Sequence, residues 1–176
     1  GHTDEVNALA VLPNKNIVSG SKDCTIKIWK NNGSFSSYKL LTTLYGHTAI
    51  VYTLAILPNT NIVSGSYDKT IRIWNSVSFK LITSLNVFSM VHSLAIIPIN
   101  SNIVSFSKDS AINLWQHKKL NYLTKLTGKQ KGSINGLKFL NNGDLATCSS
   151  DNSILVWDMN TLTIKSNNLA HNRSCL

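Results

Sequence analysis

The eight residues NIVSGSKD, Asn16–Asp23, followed six positions after the aspartate by Trp29, recur along the chain. The other copies, each with its tryptophan at the same interval, are NIVSGSYD (Asn61–Asp68, Trp74), NIVSFSKD (Asn102–Asp109, Trp115) and the looser DLATCSSD (Asp144–Asp151, Trp157). Successive aspartates lie 45, 41 and 42 positions apart. A repeat of this period indicates one supersecondary unit per copy, which buries its apolar faces only against its neighbours.

Each copy predicts four short antiparallel strands, because apolar and polar residues alternate between turn signals and no stretch has helical spacing. In TIKIWK, for example, Ile26 and Ile28 point one way and Lys27 and Trp29 the other. The predicted strands are Val6–Val11, Ile17–Ser21, Thr25–Lys30 and Tyr38–Tyr45; Val51–Ile56, Ile62–Ser66, Thr70–Asn75 and Lys80–Leu85; Val91–Ile97, Ile103–Ser107, Ala111–Trp115 and Leu120–Leu126; and Ile134–Phe139, Leu145–Ser149, Ser153–Asp158 and Thr163–Asn168. Inner strands that are apolar on both faces need cover on both sides.

Length and composition fit an ordered chain with one sizeable core, since 43% of the 176 residues are hydrophobic. The longest apolar run, near Leu94–Ile99, is broken by Pro98 and is far shorter than the roughly 20 residues of a membrane helix. The cysteines Cys24, Cys148 and Cys175 are odd in number and form no CxxC pair. We therefore expect reduced thiols in an intracellular protein, cytoplasmic or nuclear, with no membrane span.

The repeat resembles that of the WD-repeat β-propeller family, in which a Gly-His start precedes a strand, S-G-S-x-D and a T-I-x-I-W strand. Gly1-His2 and Gly46-His47 supply the opening dipeptide, and Trp157-Asp158 is the name-giving pair. The resemblance implies an all-β fold of four four-stranded propeller blades. It divides one propeller region, residues 1–176, into blades at about 1–45, 46–85, 86–127 and 128–169, with 170–176 starting a further repeat. Because the chain begins at Gly1 and most propellers of this family have seven blades, we expect an open arc of a longer protein.

The resemblance also implies a structural tetrad of His, Ser or Thr, Asp and Trp in each blade. By motif position its members are His2, Ser19, Asp23 and Trp29; His47, Ser64, Asp68 and Trp74; Ser105, Asp109 and Trp115; and Thr147, Asp151 and Trp157. The last two sets lack the histidine, where Val87 and Lys129 stand instead. The serines two positions further on, Ser21, Ser66, Ser107 and Ser149, are the alternative hydroxyl partners. Each buried polar group of such a set needs a partner or costs about 1–3 kcal/mol.

No catalytic, cofactor or metal site is predicted. A Ser-His-Asp set could indicate a hydrolase, but here it recurs beside tryptophan and no G-x-S-x-G elbow accompanies it. The histidines have no close ligand spacing, and no glycine loop suited to phosphate is present in the sequence.

The net charge of +9 favours acidic partners, although it also serves solubility alone. The second half is conspicuously basic through Lys108, Lys118, Lys119, Lys125, Lys129, Lys131 and Lys138. Lys108, Lys129 and Lys131 should share one rim of the propeller, and Lys118 and Lys119 should lie in the opposite loops. This rim is either a solvated surface or a docking patch for acidic or phosphorylated segments; nucleic acid is the less favoured ligand.

The expected function is that of a non-catalytic scaffold or adaptor that binds other proteins on the rim of inter-blade loops and motif turns. The alternative is a subunit that recognises phosphorylated or nucleic-acid ligands through the lysine-rich rim. Remaining blades of a parent protein, or a second copy, are further expected partners. The expected partner-binding residues are Asp4, Glu5, Lys22, Tyr67, Lys108, Lys129, Lys131 and Ser150. Tyr67 is either an exposed aromatic anchor or a residue that packs on its neighbouring blade.

Overall fold

The computed structural model describes residues 1–33, 37–106, 112–116, 119, 121–126, 132 and 134–169, and for 167–169 the backbone only. These residues form sixteen β-strands in four antiparallel sheets of four. The described part of the chain contains no helix, and therefore none that could cross a membrane. The predicted all-β fold of four-stranded blades is confirmed.

Consecutive strands along the chain are neighbours in each sheet. Sheet 1 comprises β1 (Val6–Val11), β2 (Ile17–Ser21), β3 (Ile26–Asn31) and β4 (Tyr38–Leu44), and sheet 2 comprises β5 (Val51–Ile56), β6 (Ile62–Ser66), β7 (Thr70–Trp74) and β8 (Leu81–Asn86). Sheet 3 comprises β9 (Ser93–Ile96), β10 (Ile103–Phe106), β11 (Ile112–Gln116) and β12 (Asn121–Leu126), and sheet 4 comprises β13 (Ile134–Phe139), β14 (Leu145–Ser149), β15 (Ser153–Asp158) and β16 (Thr163–Leu169).

Most strand ends agree with the prediction to within one residue. The largest difference is β9, predicted as Val91–Ile97 and observed as Ser93–Ile96. Val91 does not begin the strand because its N–H donates to the Ser66 carbonyl in the β6–β7 turn. The ends predicted at Ser107, Ala111 and Leu120 lie outside the described residues.

The chain divides into two compact units, Gly1–Leu94 and Ala95–Leu176, with the boundary inside β9. In unit 1, Val18, Ile26 and Ile28 of sheet 1 form one buried core with Val51, Ile62 and Trp74 of sheet 2. In unit 2 the core consists of Ile97, Val104, Phe106, Ile112, Leu114, Leu126, Ile134, Leu145, Leu155 and Trp157. Each core therefore lies where the apolar side chains of one sheet are covered by those of the next sheet.

The tryptophan of each copy lies at an irregularity of its sheet. The pairing register of the third and fourth strands shifts between Ile28 and Trp29, Ile73 and Trp74, Leu114 and Trp115, and Val156 and Trp157. Bulges of this kind bend a strand and redirect a side chain. The tryptophan of every copy therefore directly follows a register shift at the same place in its sheet.

Two strand glycines allow close packing inside unit 1. A Cβ on Gly20 would lie 2.6 Å from Cγ1 of Val51. A Cβ on Gly65 would lie 2.4 Å from Cγ1 of Val91 and 2.7 Å from Cγ2 of Thr53. The third copy carries Phe106 at this position, and there the ring is 2% exposed in the core of unit 2.

Gly65→Ala should lower the free energy of unfolding by about 1–3 kcal/mol, because the new methyl group overpacks a tight contact. Gly136→Ala is the matched control, since it is also a strand glycine and its Cβ would meet only the Cys148 sulfur, at 3.3 Å. Urea unfolding followed by circular dichroism measures both. A loss for Gly136→Ala as large as that for Gly65→Ala would contradict the packing described for Gly65.

Candidate functional site

The repeat aspartate organises the turn between the second and third strands of its sheet. Asp68 Oδ1 accepts hydrogen bonds from the backbone N–H of Thr70 at 2.9 Å and from its hydroxyl at 2.6 Å. Asp23 does the same with Thr25, at 2.9 and 2.6 Å. An aspartate that accepts from the residue two positions on stabilises a tight turn. Lys69, between Asp68 and Thr70, has a φ of 63°, and this strained conformation is held by the bonds on either side.

The other oxygen of Asp68 joins a chain of hydrogen bonds that reaches the core of unit 1. Trp74 Nε1 donates to Ser64 Oγ at 2.9 Å, and Ser64 Oγ lies 2.7 Å from His47 Nε2. His47 Nδ1 lies 2.7 Å from Asp68 Oδ2, which also accepts the Thr48 N–H at 3.1 Å. These side-chain hydrogen bonds connect β6, β7 and the loop before β5.

Sheet 1 contains the same arrangement. Trp29 Nε1 donates to Ser19 Oγ at 2.8 Å, and Ser19 Oγ lies 2.7 Å from His2 Nε2. His2 Nδ1 lies 2.8 Å from Asp23 Oδ2. Two sets in the first unit are therefore complete chains of four side chains.

The direction of the hydrogen bonds in sheet 2 follows from the charge state of His47. Burial lowers the pKa of His47, and the positive charge of Arg72 acts in the same direction, although Asp68 opposes both. The imidazole is consequently neutral at pH 7. A neutral ring satisfies every member when Nδ1–H donates to Asp68 and Nε2 accepts from the Ser64 hydroxyl, which in turn accepts from Trp74.

The two aspartates are held ionised. Burial alone raises the pKa of Asp68, but the hydrogen bonds from Thr70, His47 and the Thr48 N–H outweigh it, so the pKa lies below its usual value. Asp23 behaves likewise: burial raises its pKa, and the bonds from Thr25, His2 and Thr3 bring it well below the usual range. Each carboxylate is therefore an acceptor that the fold supplies with donors.

Acidification should lower the free energy of unfolding in two steps. Below about pH 6.5 the unfolded chain protonates His47 while the folded protein resists it, which costs up to about 1.4 kcal/mol per pH unit. Below about pH 4 the depressed pKa values of Asp23 and Asp68 produce the second loss. Urea unfolding at a series of pH values measures both steps.

In the His47→Gln variant, the part of the first loss in free energy of unfolding that arises from protonation of His47 should be absent. An unchanged pH dependence between 7 and 5.5 in that variant, or a wild-type protein that gains stability over this range, would contradict the neutral buried imidazole.

The geometry does not suit nucleophilic attack. Ser64 is 0% exposed and Ser19 is 3% exposed, and each hydroxyl is occupied by its tryptophan and histidine. A nucleophile must reach a substrate atom, and these two oxygens face the interior. The Ser, His and Asp of sheets 1 and 2 can brace turns and loops. In the described residues no cluster of His, Cys, Asp or Glu could hold a metal ion.

The third and fourth copies keep the tryptophan–hydroxyl bond. Trp115 Nε1 donates to Ser105 Oγ at 2.7 Å, and Trp157 Nε1 donates to Thr147 Oγ1 at 3.1 Å. Asp151 Oδ1 accepts from the N–H and hydroxyl of Ser153, at 3.0 and 2.5 Å. Val87 is 9% exposed, and Asp109 and Lys129 lie outside the described residues.

The alternative serines have a different role. Ser21, Ser66 and Ser149 accept the backbone N–H of the motif aspartate, at 3.1, 3.0 and 3.3 Å, and Ser107 lies outside the described residues. Ser21 and Ser66 also donate to the backbone carbonyls of Asp4 and Ala49 in the loops before β1 and β5. They connect the turn to the adjacent loop.

Of the expected partner-binding residues, Asp4, Glu5 and Lys22 lie together. Lys22 Nζ is 3.8 Å from Asp4 Oδ1 and 3.7 Å from Glu5 Oε2. Ser150 is exposed in the β14–β15 turn. Lys108, Lys129 and Lys131 fall on residues that are not described, as does Lys118, whereas Lys119 is exposed.

Tyr67 is the centre of an aromatic cluster with Tyr52 and His92. The two tyrosine rings stack with centroids 5.1 Å apart and planes at 10°, and His92 meets both edge-on. Burial raises the pKa of Tyr67, and its hydroxyl lies 3.1 Å from His92 Nε2. The ring therefore packs on its neighbours and remains half-buried. Neither Tyr52 nor His92 was among the expected partner-binding residues. Each follows the valine at which a strand was predicted to begin, Val51 or Val91, and this equivalent position was the available signal.

Four-stranded sheets that repeat one motif, with a shared side-chain network, define the class of β-propeller blades. Residues 1–30, 38–75 and 120–158 match the family model described as WD domain, G-beta repeat. The matched segments cover more than half of the chain, which therefore belongs to the WD-repeat family. A search of curated proteins gave no match. Domains of this family typically are non-catalytic and mediate interactions between proteins.

Proposed function

We propose that the chain binds segments of other proteins at one end of unit 1, called here the turn end. It comprises the β2–β3 and β6–β7 turns and the loops before β1, β5 and β9, residues 2–5, 21–24, 46–50, 66–69 and 87–92. That the two turns lie at one end is supported by Gly20, next to the β2–β3 turn, because a Cβ on it would lie 2.6 Å from Cγ1 of Val51, the first residue after the loop before β5.

The observation that carries the proposal is the fixed position of the β6–β7 turn between two loops. On one side the Tyr67 N–H donates to the Ile50 carbonyl at 3.0 Å. On the other, the N–H of Val87 donates to the Lys69 carbonyl at 2.9 Å and that of Val91 to the Ser66 carbonyl at 3.1 Å. Binding residues are commonly found on loops that a rigid scaffold positions. Here the hydrogen-bonded set of sheet 2 provides that scaffold.

A photoreactive benzoylphenylalanine placed at position 69, in the turn end, tests this function against the same group at position 77. Val77 is 82% exposed and lies in the β7–β8 turn, at the other end of the same sheet. Illumination in lysate should give discrete cross-linked proteins from position 69 and few from position 77. Cross-links from position 77 alone, or from neither position, would contradict the proposal.

The alternative function, recognition of phosphorylated or nucleic-acid ligands through the lysine-rich rim, has no observation in its favour among the described residues. Three of its lysines, Lys108, Lys129 and Lys131, lie outside them.

A further inference from the structure

Sheet 4 has a shallow apolar groove on one of its faces. The groove has a volume of about 250 Å³, and Gly136, Ala146, Cys148 and Ile154 line it. Ile154 is half-buried, whereas Leu155, the next residue along β15, points to the other face and is buried in the core of unit 2. The groove therefore lies on the face of sheet 4 that points away from this core.

The motif position of Cys148 is a contact point between a sheet and the residues that follow it. Gly20 and Gly65 hold this position in the first two copies. A Cβ on Gly20 would lie 3.2 Å from Cβ of Val51, and a Cβ on Gly65 would lie 3.0 Å from Cβ of Val91. In each case a valine beyond the fourth strand of the sheet packs on its second strand. A residue in this place is called here the covering residue.

The covering residue follows the fourth strand of its sheet at a nearly constant interval. The isoleucine three positions after each motif aspartate pairs across the ladder with one residue of the fourth strand, namely Leu44, Leu85, Leu126 and Asn168 in the four sheets. Val51 lies seven positions after the first of these, and Val91 lies six after the second. Ile134, eight positions after the third, shares the buried core of unit 2 with Phe106, the residue at the motif position of Cys148 in the third copy.

Cys175 holds this place after sheet 4, seven positions beyond Asn168. Residues 170–176 lie outside the described part of the chain, so the repeat alone assigns the place. A thiol side chain suits it, because cysteine packs as a small apolar residue. The groove also favours this occupant over a second copy, since a segment tethered a few residues away has a local concentration of about millimolar or more.

We propose that residues 170–176 dock in the groove of sheet 4 and place Cys175 against Cys148. The Cβ separations of 3.0 and 3.2 Å at the two glycines are slightly shorter than the roughly 3.5–4.5 Å between the Cβ atoms of a disulfide. The real Cβ of Cys148 requires a small outward shift, which brings the pair into that range. A disulfide can therefore join the two thiols in the folded chain. This contact involves sheet 4 alone, so it stands or falls independently of the proposed function.

Glutathione disulfide is the oxidant that probes this contact. The thiolate of one cysteine attacks it, forms a mixed disulfide and releases one reduced glutathione. The thiolate of the other cysteine then attacks the protein sulfur of the mixed disulfide, forms the Cys148–Cys175 bond and releases the second reduced glutathione. Two protein thiols are oxidised, one glutathione disulfide is reduced, and the two thiol protons pass to the released glutathione.

Equilibration of the full 176-residue chain in buffers of reduced and oxidised glutathione tests the proposal. Mass spectrometry of the intact monomer and of its peptides should identify a Cys148–Cys175 bond. The equilibrium constant of this bond should be about tenfold or more above its value in concentrated urea, because docking raises the local concentration beyond that of a flexible chain. Cys24, in the β2–β3 turn, is the internal control and should join neither cysteine.

Alkylation of Cys148 by iodoacetamide tests the docking without a disulfide. Cys175→Val, which supplies the covering residue of sheets 1 and 2, should keep Cys148 protected in the full chain. Cys175→Asp should make the alkylation of Cys148 about tenfold faster, because a carboxylate is costly to hold in an apolar groove and the segment undocks. The alkylation rate of Cys24 should be the same in both variants, which establishes that their folds are equally intact.

Equal alkylation rates of Cys148 in the two variants, or an equilibrium constant no higher than in urea, would overturn the proposal. A Cys148–Cys175 bond that forms only between two chains would also overturn it and would assign the groove to a second copy. A bond within the monomer, together with faster alkylation of Cys148 in Cys175→Asp alone, is the expected result.

Discussion

Trp74→Ala should lower the free energy of unfolding by about 3–5 kcal/mol. The indole is 3% exposed in the core of unit 1 and packs with Val51 and Ile62. Its removal leaves a cavity that the surrounding strands fill only in part. It also takes away the donor to Ser64 Oγ, at 2.9 Å. Urea unfolding of the full chain measures the loss.

Trp29→Ala is the matched control because Trp29 has the same motif position and the same hydroxyl partner, Ser19. Trp29 is only half-buried, and its sheet also exposes Leu9 and Val11 on β1. Since less apolar area leaves water at this position, the loss should be about half of that at Trp74. Equal losses for the two variants would show that burial against sheet 1 is not what stabilises Trp74.

Asp68→Ala should cost about 2–4 kcal/mol, because it leaves several donors without their acceptor. The carboxylate is 4% exposed and receives the Thr48 N–H, both donors of Thr70 and His47 Nδ1–H. The buried imidazole loses the group that fixes its tautomer, and the β6–β7 turn loses its bracing.

Glu5→Ala provides the comparison for this second change. The Glu5 side chain is 71% exposed and its contact with Lys22 spans 3.7 Å, so its removal should cost less than about 0.5 kcal/mol. A variant at Asp68 that is no less stable than the variant at Glu5 would mean that the hydrogen-bonded set contributes nothing to the fold.

The sheets could be predicted from sequence because their signals are local and repeated. In Thr25–Lys30 the alternation of Ile26 and Ile28 with Lys27 and Trp29 sets both strand and face, and four copies make the pattern unambiguous. The observed β3 begins one residue later, at Ile26, because Asp23 holds both donors of Thr25 in the turn. A one-residue difference at a strand end arises where a side chain, and not the neighbouring strand, bonds to the backbone group.

The contacts within the candidate binding surface could not be predicted from the sequence in this way. Tyr67 could be named as an exposed aromatic, but its partners Tyr52 and His92 lie 15 and 25 positions away and meet it only when turn and loops fold together. Such contacts depend on tertiary structure, whereas strand periodicity depends on the chain alone.

The central claim is that the hydrogen-bonded set of sheet 2 holds the turn end in place. Amide hydrogen exchange, measured by NMR on wild type and Asp68→Asn, tests it most directly. The amides of Thr48, Thr70, Val87 and Val91 bond to Asp68 or to the turn beside it. In Asp68→Asn they should exchange about tenfold faster relative to strand amides such as that of Ile73, because the turn opens locally.

Asp4→Asn, a change of a carboxylate that is 43% exposed, should leave all of these relative rates at their wild-type values. Faster exchange of the Thr48, Thr70, Val87 and Val91 amides in Asp68→Asn alone is the result that the account predicts. Wild-type relative rates at all four positions in Asp68→Asn would contradict it.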